Sequence, residues 1–478
     1  MRVTLTNSPS DVGKRLVSSS QCDCNCACPV DGVPTPVLSL PIAYYLELTP
    51  TCNNRCPGCG NVYAADRERN RGFSKTPVSM DGRAWRDLIM RLASHAQQFK
   101  LTGGEATLHP AFAEIVCTVE DCGIPFTLFT NGRWSHPDAL LRLLRGTATC
   151  EGLLVSLHGP DGATHEAFSG VPGSFDETVA NIRRATAMGL DVATSIVINH
   201  NNWDRVAQTL DLALSLGAKQ VVCNRYISIQ GAPMDGVAPS HAQLRTAIAT
   251  IESLRAAGHP IRFGNCIPQC FAASSSRGCT AGNTFATIDP WGRMRPCNHA
   301  PLTAGNLQAQ SVEEVWQGEV MGHWRSLVPA DCAICSVFAT CHGGCRAQAL
   351  LAGHTQDSLI QAPLTEALSL PNPELPLYAD LRPVGQFVHR LESDVHVLLR
   401  KSQVVPVPAD LDGLVPKLDG SLTLRQIERQ YGSVAVDWIG ALYQESMVMW
   451  ALSPGNPLFA FQPGRPVNGR SEQRAAQR

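Results

Sequence analysis

The feature that most constrains this chain is a repeat of strand-like and helix-like segments between residues 42 and about 228. Runs rich in apolar, β-branched or aromatic residues at 42–48, 98–102, 125–130, 152–157, 191–198 and 220–227 read as strands. Amphipathic stretches at about 81–97, 110–121, 137–145, 175–188, 203–216 and 241–257 read as helices. Gly123, Gly146, Gly189, Gly217 and Gly258 fall where a left-handed residue would close each helix. Asp81, Asp176 and Asp204 fall near helix starts, where the dipole favours a carboxylate. Repeated βα units predict a parallel sheet, with any chemistry gathered at the carboxyl ends of its strands.

The loop after the first strand reads Thr51-Cys52-Asn53-Asn54-Arg55-Cys56-Pro57-Gly58-Cys59, a C-x3-C-x2-C spacing. Three thiolates this close can hold three corners of a cubane iron–sulfur cluster, whose full protein ligation needs four. The fourth iron then stays open, and an open position marks a site for chemistry. From the spacing alone, a zinc loop or three buried thiols is the alternative. The second strand ends in Lys100-Leu101-Thr102-Gly103-Gly104-Glu105.

With both motifs present, the sequence resembles the radical S-adenosylmethionine (radical SAM) superfamily. The resemblance implies an α/β fold built on a partial (β/α)6 TIM-like barrel. It implies a [4Fe-4S] cluster on Cys52, Cys56 and Cys59, whose open iron would chelate S-adenosylmethionine. An electron, from a protein such as ferredoxin or flavodoxin, would break the sulfonium bond. The resulting 5′-deoxyadenosyl radical would abstract a substrate hydrogen. Gly103, Gly104 and Glu105 would contact the methionine amino group, glycine allowing close backbone approach. Ser156, ending the fourth strand, would lie near the ribose; Asn199 and Arg225 are further candidates for the cosubstrate. Each could equally be a turn residue or a satisfied polar group, and His158 could serve substrate chemistry or only a hydrogen bond.

A second cysteine field runs from 266 to 345. Cys279 is followed by Gly292 and Cys297, then by Cys332-x2-Cys335-x5-Cys341-x3-Cys345. Together with Ile288-Asp289-Pro290-Trp291-Gly292, Gly305-Asn306-Leu307 and Gly343-Gly344-Cys345-Arg346, this resembles the SPASM domain, which binds auxiliary iron–sulfur clusters. A zinc ribbon is the alternative for the last four cysteines. The resemblance implies that Cys279, Cys297 and Cys345 ligate auxiliary cluster I, with Cys266 or Cys270 as the fourth ligand, and that Cys332, Cys335 and Cys341 ligate cluster II. The family pattern closes with a seventh cysteine, and none follows Cys345 here. One or two auxiliary clusters are therefore expected, the second incompletely cysteine-ligated. Asp357 and His354 are the nearest substitutes in sequence, and a thiol from Cys22, Cys24, Cys26 or Cys28 is another source.

Among 19 cysteines, most lie in short local spacings, which favours metal sites over disulfides in a chain without an apolar leader. Cys117, Cys122, Cys150 and Cys223 read as small packing residues. Lys plus Arg total 39 and Asp plus Glu 41, giving a net charge of −2 and no argument for nucleic acid. No apolar run is long enough to span a bilayer. A cytoplasmic protein is expected.

Six segments are expected: a flexible 1–40, a radical SAM core at 41–260, a SPASM domain at 261–355, a linker at 356–380, a small domain at 381–452 and a disordered tail at 453–478. Asp419-Gly420, the helix-like Thr423–Glu428 and a last helix near Val436–Met447 resemble the PqqD-like fold, a small winged-helix unit. That resemblance implies capture of a leader peptide by strand addition. The expected activity is radical modification of a ribosomally made precursor peptide, by thioether or carbon–carbon cross-linking. Side-chain processing of a tetrapyrrole is the alternative, and a non-enzymatic iron–sulfur electron carrier a third.

Overall fold

The structure, a computed structural model, describes residues 2–6, 36–62, 79–228, 236–273, 278–365 and 374–451. Cys22, Cys24, Cys26, Cys28 and the segment from 453 lie outside the described residues. The chain divides into two units. The larger comprises Cys24–Leu370 with Leu391–Pro406; the smaller comprises Met1–Asp23, Pro371–Arg390 and Val407–Arg478.

The smaller unit holds β1 (Arg2–Thr6), and the larger begins with β2 (Ala43–Glu47). There follow α1 (Gly82–Leu92), β3 (Gln98–Thr102), α2 (Phe112–Asp121), β4 (Phe126–Thr130), α3 (Pro137–Gly146) and β5 (Cys150–Ser156). Next come α4 (Gly162–Ser169), α5 (Ser174–Ala187), β6 (Val192–Ile198), α6 (Val206–Ser215), β7 (Gln220–Arg225), α7 (His241–Ala256) and β8 (Ile261–Phe263). Three short strands complete the sheet: β9 (Phe285–Ile288), β10 (Arg293–Arg295) and β11 (Gly305–Asn306). The order is β11-β10-β9-β2-β3-β4-β5-β6-β7-β8. From β9 through β2 to β8 every pairing is parallel, and β10 runs antiparallel to both its neighbours.

The parallel strands are buried because helices cover them, so their sequences are apolar runs. Tyr44, Leu46, Phe99, Leu101, Phe126, Leu128, Val155 and Ile196 are fully buried in one core with Trp85, Ile89, Ile115 and Ile182 from the helices. This is the expected α/β architecture, a partial barrel of six βα units. The carboxyl ends of β2 to β7 share one rim, and the loops after them carry the expected motifs.

Local signals behave as their chemistry requires. Asp81 caps α1 by accepting from the Ala84 amide at 2.8 Å. Gly123, Gly189, Gly217 and Gly258 adopt positive φ after their helices. Gly146 does not: it is the last residue of α3, followed by the extended Thr147. Helix α4 was not legible, being short and only weakly apolar; Asp161 caps it and Gly170 closes it at φ 69°. Cys223 is buried and Cys122 and Cys150 pack on the core, but Cys117 is exposed on α2.

The segment expectations also need correction. Residues 1–40 are not all without structure, since β1 pairs in parallel with Glu374–Tyr378, which falls within the expected linker. Neither strand is strongly patterned; each is stabilised by the other's backbone. The amide of Val3 donates to Asp437 Oδ1 at 2.5 Å, tying β1 to the helix Ser433–Gln444. The smaller unit also contains Leu424–Tyr431, opened by a Thr423/Gln426 capping box, and an antiparallel pair of Pro383–Gly385 with Val448–Trp450. Its Asp419-Gly420 turn forms as expected, with Gly420 at φ 84°. The hairpin Val395–Arg400/Gln403–Pro406, expected in that domain, groups with the larger unit, where Val397, Leu399 and Val404 bury against Leu38 and Ile42.

Candidate cofactor and metal site

The three-cysteine loop is laid along the end of β3. The Gly104 amide donates to Thr49 O and the Glu105 amide to Thr51 O, both at 2.7 Å. Asn61 Nδ2 donates to Gly103 O at 2.7 Å. Gly103 adopts φ 151°, and a Cβ there would lie 2.8 Å from Thr49 O. Glycine is therefore needed at 103 so that two backbones can meet, which is a structural reason beside the expected one.

Glu105 is buried, and its carboxylate is committed within the protein. It accepts from Thr107 Oγ1 at 2.7 Å, Thr130 Oγ1 at 2.9 Å and the Asn131 amide at 2.8 Å. Burial raises its pKa against those hydrogen bonds. The residue thus binds the β3 end to the β4 end. Asn131 then reaches the cysteine loop, donating to Asn53 Oδ1 at 2.7 Å and to Cys52 Sγ at 3.7 Å. Arg133 holds the same loop from the next position, donating to Asn53 O at 2.7 Å and Asn54 Oδ1 at 3.0 Å. Its Nε pairs with Glu177 at 2.7 Å. The Asn54 amide donates to Cys52 Sγ at 3.4 Å.

Cys56 lies with its two partners. Burial first, then the charges of Cys59 and Cys52, raises its thiol pKa. Ionising three sulfurs this close would need a cationic group among them, and a bound metal cluster would supply it, so the donor set fits one. Gly58 packs beneath Tyr226 and Phe168, and Gly60 against the imidazole of His299, leaving no room for a Cβ at either position. Burial lowers the His299 pKa to about 4, aided by Arg295 and Arg225. Asn53, Asn61, Arg133 and His299 escaped the sequence reading. Asn131 did not, because Thr130-Asn131-Gly132 reads as the polar end of the third strand.

The other strand-end candidates divide. Ser156 is half-buried and paired in register with Ser195 at the barrel rim. Asn199 is buried in its own turn: its Oδ1 accepts from the Asn201 amide at 2.8 Å and its Nδ2 donates to Val197 O at 3.0 Å. His158 is buried against Phe168, its ring accepting from the Val197 amide at 3.3 Å. Burial, then His165, holds its pKa well below the usual histidine value. Arg225 spends its guanidinium on Asp357, in two bonds of 2.7 and 2.9 Å, both partners buried. Asp357 also accepts from the Cys345 amide at 2.8 Å and the Leu359 amide at 3.1 Å. A second buried pair, Glu47 with Arg295, joins the β2 end to the strand before Cys297. Burial lifts the Glu47 carboxyl to about 7, with Arg295 opposing it.

The later cysteines sort into two sets of four. Cys266 contacts Cys279 and Cys345 through sulfur, and Cys297 feels both. The contact with Cys266 lowers Cys279 to about 6, with help from the Ala281 amide and Arg346. Cys270 turns the other way. It shares a cavity with Cys332, Cys335 and Cys341. Burial, then the sulfurs of Cys341, Cys270 and Cys335, pushes Cys332 up to about 12. Of the two alternatives for the first set, the geometry brings in Cys266 and leaves Cys270 to the second. Asp357 is occupied by Arg225, and His354 is exposed. Among the described residues, no three His, Cys, Asp or Glu side chains converge on one point as ligands of a single ion would.

Comparison with known proteins agrees with this arrangement. Residues 46–213 match the model of the radical SAM superfamily, and residues 279–342 match the SPASM iron–sulfur cluster-binding domain. A PqqA peptide cyclase of Methylobacterium nodulans is 26% identical over 332 residues, 67% of this chain and 85% of the relative. An AdoMet-dependent heme synthase of Methanosarcina barkeri is 26% identical over 345 residues, 66% of this chain and 94% of the relative. A PqqA peptide cyclase of Xanthomonas campestris is 29% identical over 327 residues, 66% and 84%. Streptococcus suis SuiB, crystallised with precursor peptide SuiA, shares the fold at TM-score 0.58 and 16% identity, over 68% of this chain and 77% of that one. A structure of anSMEcpe with bound AdoMet does so at 0.52 and 14%, over 68% and 92%.

Proposed function

Residues 46–213 match the radical SAM superfamily model and residues 279–342 the SPASM domain, and from that premise we propose that the chain is a radical SAM maturase of a ribosomally made peptide. In this reading Cys52, Cys56 and Cys59 hold a [4Fe-4S] cluster and leave one iron for S-adenosylmethionine. When bound, that pair supplies a 5′-deoxyadenosyl radical, generated by one-electron reduction, which removes a hydrogen atom from the substrate. The chain's own residues bind, orient and enclose. Asn131 and the Asn54 amide donate to the Cys52 sulfur, and such bonds tune a cluster's potential. Glu105 fixes the two loops rather than meeting the cosubstrate with its side chain, leaving the backbone of Gly103 and Gly104 to do so. Ser156, half-buried at the end of β5, is the residue assigned to the ribose. Cys266, Cys279, Cys297 and Cys345 hold auxiliary cluster I. Ferredoxin or flavodoxin is the expected reductant, and the cytoplasm the expected compartment.

The observation that carries the chemistry is the three-thiol loop bonded along Gly103–Glu105 at the barrel rim. The peptide substrate is supported by the names of two relatives, PqqA peptide cyclases, and by the small unit at the chain's end. That unit captures the leader peptide, the PqqD-like role. The heme synthase of Methanosarcina barkeri supports a second reading, in which the substrate is a tetrapyrrole. Anaerobically reconstituted protein, dithionite, S-adenosylmethionine and a precursor peptide encoded beside this gene should yield 5′-deoxyadenosine and a peptide lighter by two hydrogens. Turnover of a porphyrin precursor with no change in any such peptide would overturn the peptide reading.

A further inference from the structure

The segment between Cys266 and Cys270 serves two sites. The Phe271 and Ala272 amides donate back to Pro268 O, at 2.9 and 3.0 Å, forming a tight turn. That turn sends Cys266 toward Cys279 and Cys345, and Cys270 into a cavity lined also by Cys332, Cys335 and Cys341. The walls of the cavity are otherwise largely apolar, including Pro268, Phe338 and Ile360.

Three of those four sulfurs receive backbone amides. Gln361 N donates to Cys270 Sγ at 3.2 Å, Leu364 N to Cys335 Sγ at 3.4 Å, and Gln269 N to Cys341 Sγ at 3.4 Å. A neutral thiol is a weak acceptor, whereas a metal-bound thiolate in an apolar cavity is stabilised by such donors. The donors come from both sides of the cavity, 269 and 361–364, so the two segments are fixed on the sulfurs independently. Thr340 Oγ1 also meets Gln269 Oε1 at 3.2 Å, and the Gly278 amide donates to Thr340 O at 2.6 Å. No room exists for a larger residue at 278, where a Cβ would strike Cys341 O at 1.9 Å.

We propose that Cys270 is the fourth protein ligand of a second auxiliary [4Fe-4S] cluster, with Cys332, Cys335 and Cys341. The site is then closed from upstream, by a residue four positions after a ligand of the first auxiliary cluster, and not by a cysteine beyond Cys345. Neither Asp357 nor His354 is needed. The cluster would then be fully cysteine-ligated, with no iron left open to substrate. The short Cys266–Cys270 link places it beside the first auxiliary cluster.

This rests on the radical SAM–SPASM reading but not on the identity of the substrate. The test is an iron and zinc count with Mössbauer and EPR spectra on anaerobically purified full-length protein. Parent protein should contain about twelve irons per chain, the sum of three four-iron clusters, and no stoichiometric zinc. Cys270→Ala should lose one set of cluster signals, the same set lost in Cys335→Ala and different from that lost in Cys266→Ala. Cys270→Ser should keep the iron but shift the potential of that set, which also guards against misfolding of the alanine variant. Unchanged iron content and spectra in both Cys270 variants would overturn the assignment. So would one zinc per chain that is lost in Cys335→Ala. Failure of the peptide reading would leave all these spectra as expected.

Discussion

The loop of Cys52, Cys56 and Cys59 offers three thiols at the rim of the barrel, whereas residues 266–345 offer two sets of four in a region of short helices and turns. The first set is built from one continuous stretch. It is positioned by neighbours that are not cysteines: Asn131, Arg133, Asn61 and the β3 end. Each later set gathers sulfurs from distant segments, and the first of them is held by buried ion pairs on two barrel strands, Glu47–Arg295 and Arg225–Asp357. The difference teaches that ligand number and ligand support go together. A three-thiol site leaves a position open and needs an external frame to hold its shape. A four-thiol site is closed and can bind its own segments together through the metal.

The largest effect should come from removing the open set. Cys52, Cys56 and Cys59 all changed to Ala should reduce 5′-deoxyadenosine release to background, while both auxiliary signals persist in EPR. Loss of every signal together would mean that the two regions are not separate. The next effect tests the support of the closed set. Asp357→Asn leaves Arg225 as a buried charge without its carboxylate, which should cost about 3–5 kcal/mol. Denaturant melts of anaerobic protein would measure this, and iron content should fall with it; Asp357→Glu should recover part. A stability within error of the parent would show that the pair supports nothing.

Smaller again is Gly103→Ala, which tests the frame of the open set. At φ 151° and 2.8 Å from Thr49 O, an alanine must displace the cysteine loop. The strain is about 1–3 kcal/mol. S-adenosylmethionine binding, followed by isothermal calorimetry on anaerobically reconstituted protein, should weaken by about tenfold or more for 1.4 kcal/mol. Unaltered affinity would separate the loop from the cosubstrate.

The fold was legible because its signals are local: alternating strands and helices, an aspartate capping α1, and glycines after most helices. The open set was legible for the same reason, since three cysteines within eight residues need no tertiary knowledge. What could not be read were the assignments that depend on remote partners. Arg225 stands at a strand end like a ligand-facing residue, but its partner Asp357 is 132 positions away. Cys266 and Cys270 are interchangeable by spacing, and only the Pro268 turn sends them to different sites. Glu105 matched its motif, yet its carboxylate is taken by Thr107, Thr130 and Asn131. β1 was missed because its pairing partner lies at the far end of the chain.

The last predicted effect belongs to neither cysteine region and serves as a control. His165 is buried with its Nε2 unpartnered among the described residues. Burial chiefly lowers its pKa to about 4 from 6.5. The folded state therefore resists protonation more than the unfolded state. Its contribution is complete above about pH 6.5 and is lost as pH falls toward 4, by at most about 3 kcal/mol. His165→Gln should flatten the acid limb of stability against pH without changing the cluster spectra. An unchanged slope would remove the histidine from the account.

The central claim is that only the Cys52 set meets S-adenosylmethionine. EPR of dithionite-reduced protein, with and without S-adenosylmethionine, tests it most directly when recorded on the parent and on the Cys52/Cys56/Cys59→Ala variant. The account predicts that the cosubstrate perturbs one cluster signal in the parent, that this signal is missing from the variant, and that the remaining signals ignore S-adenosylmethionine. A perturbation that survives in the variant would contradict it.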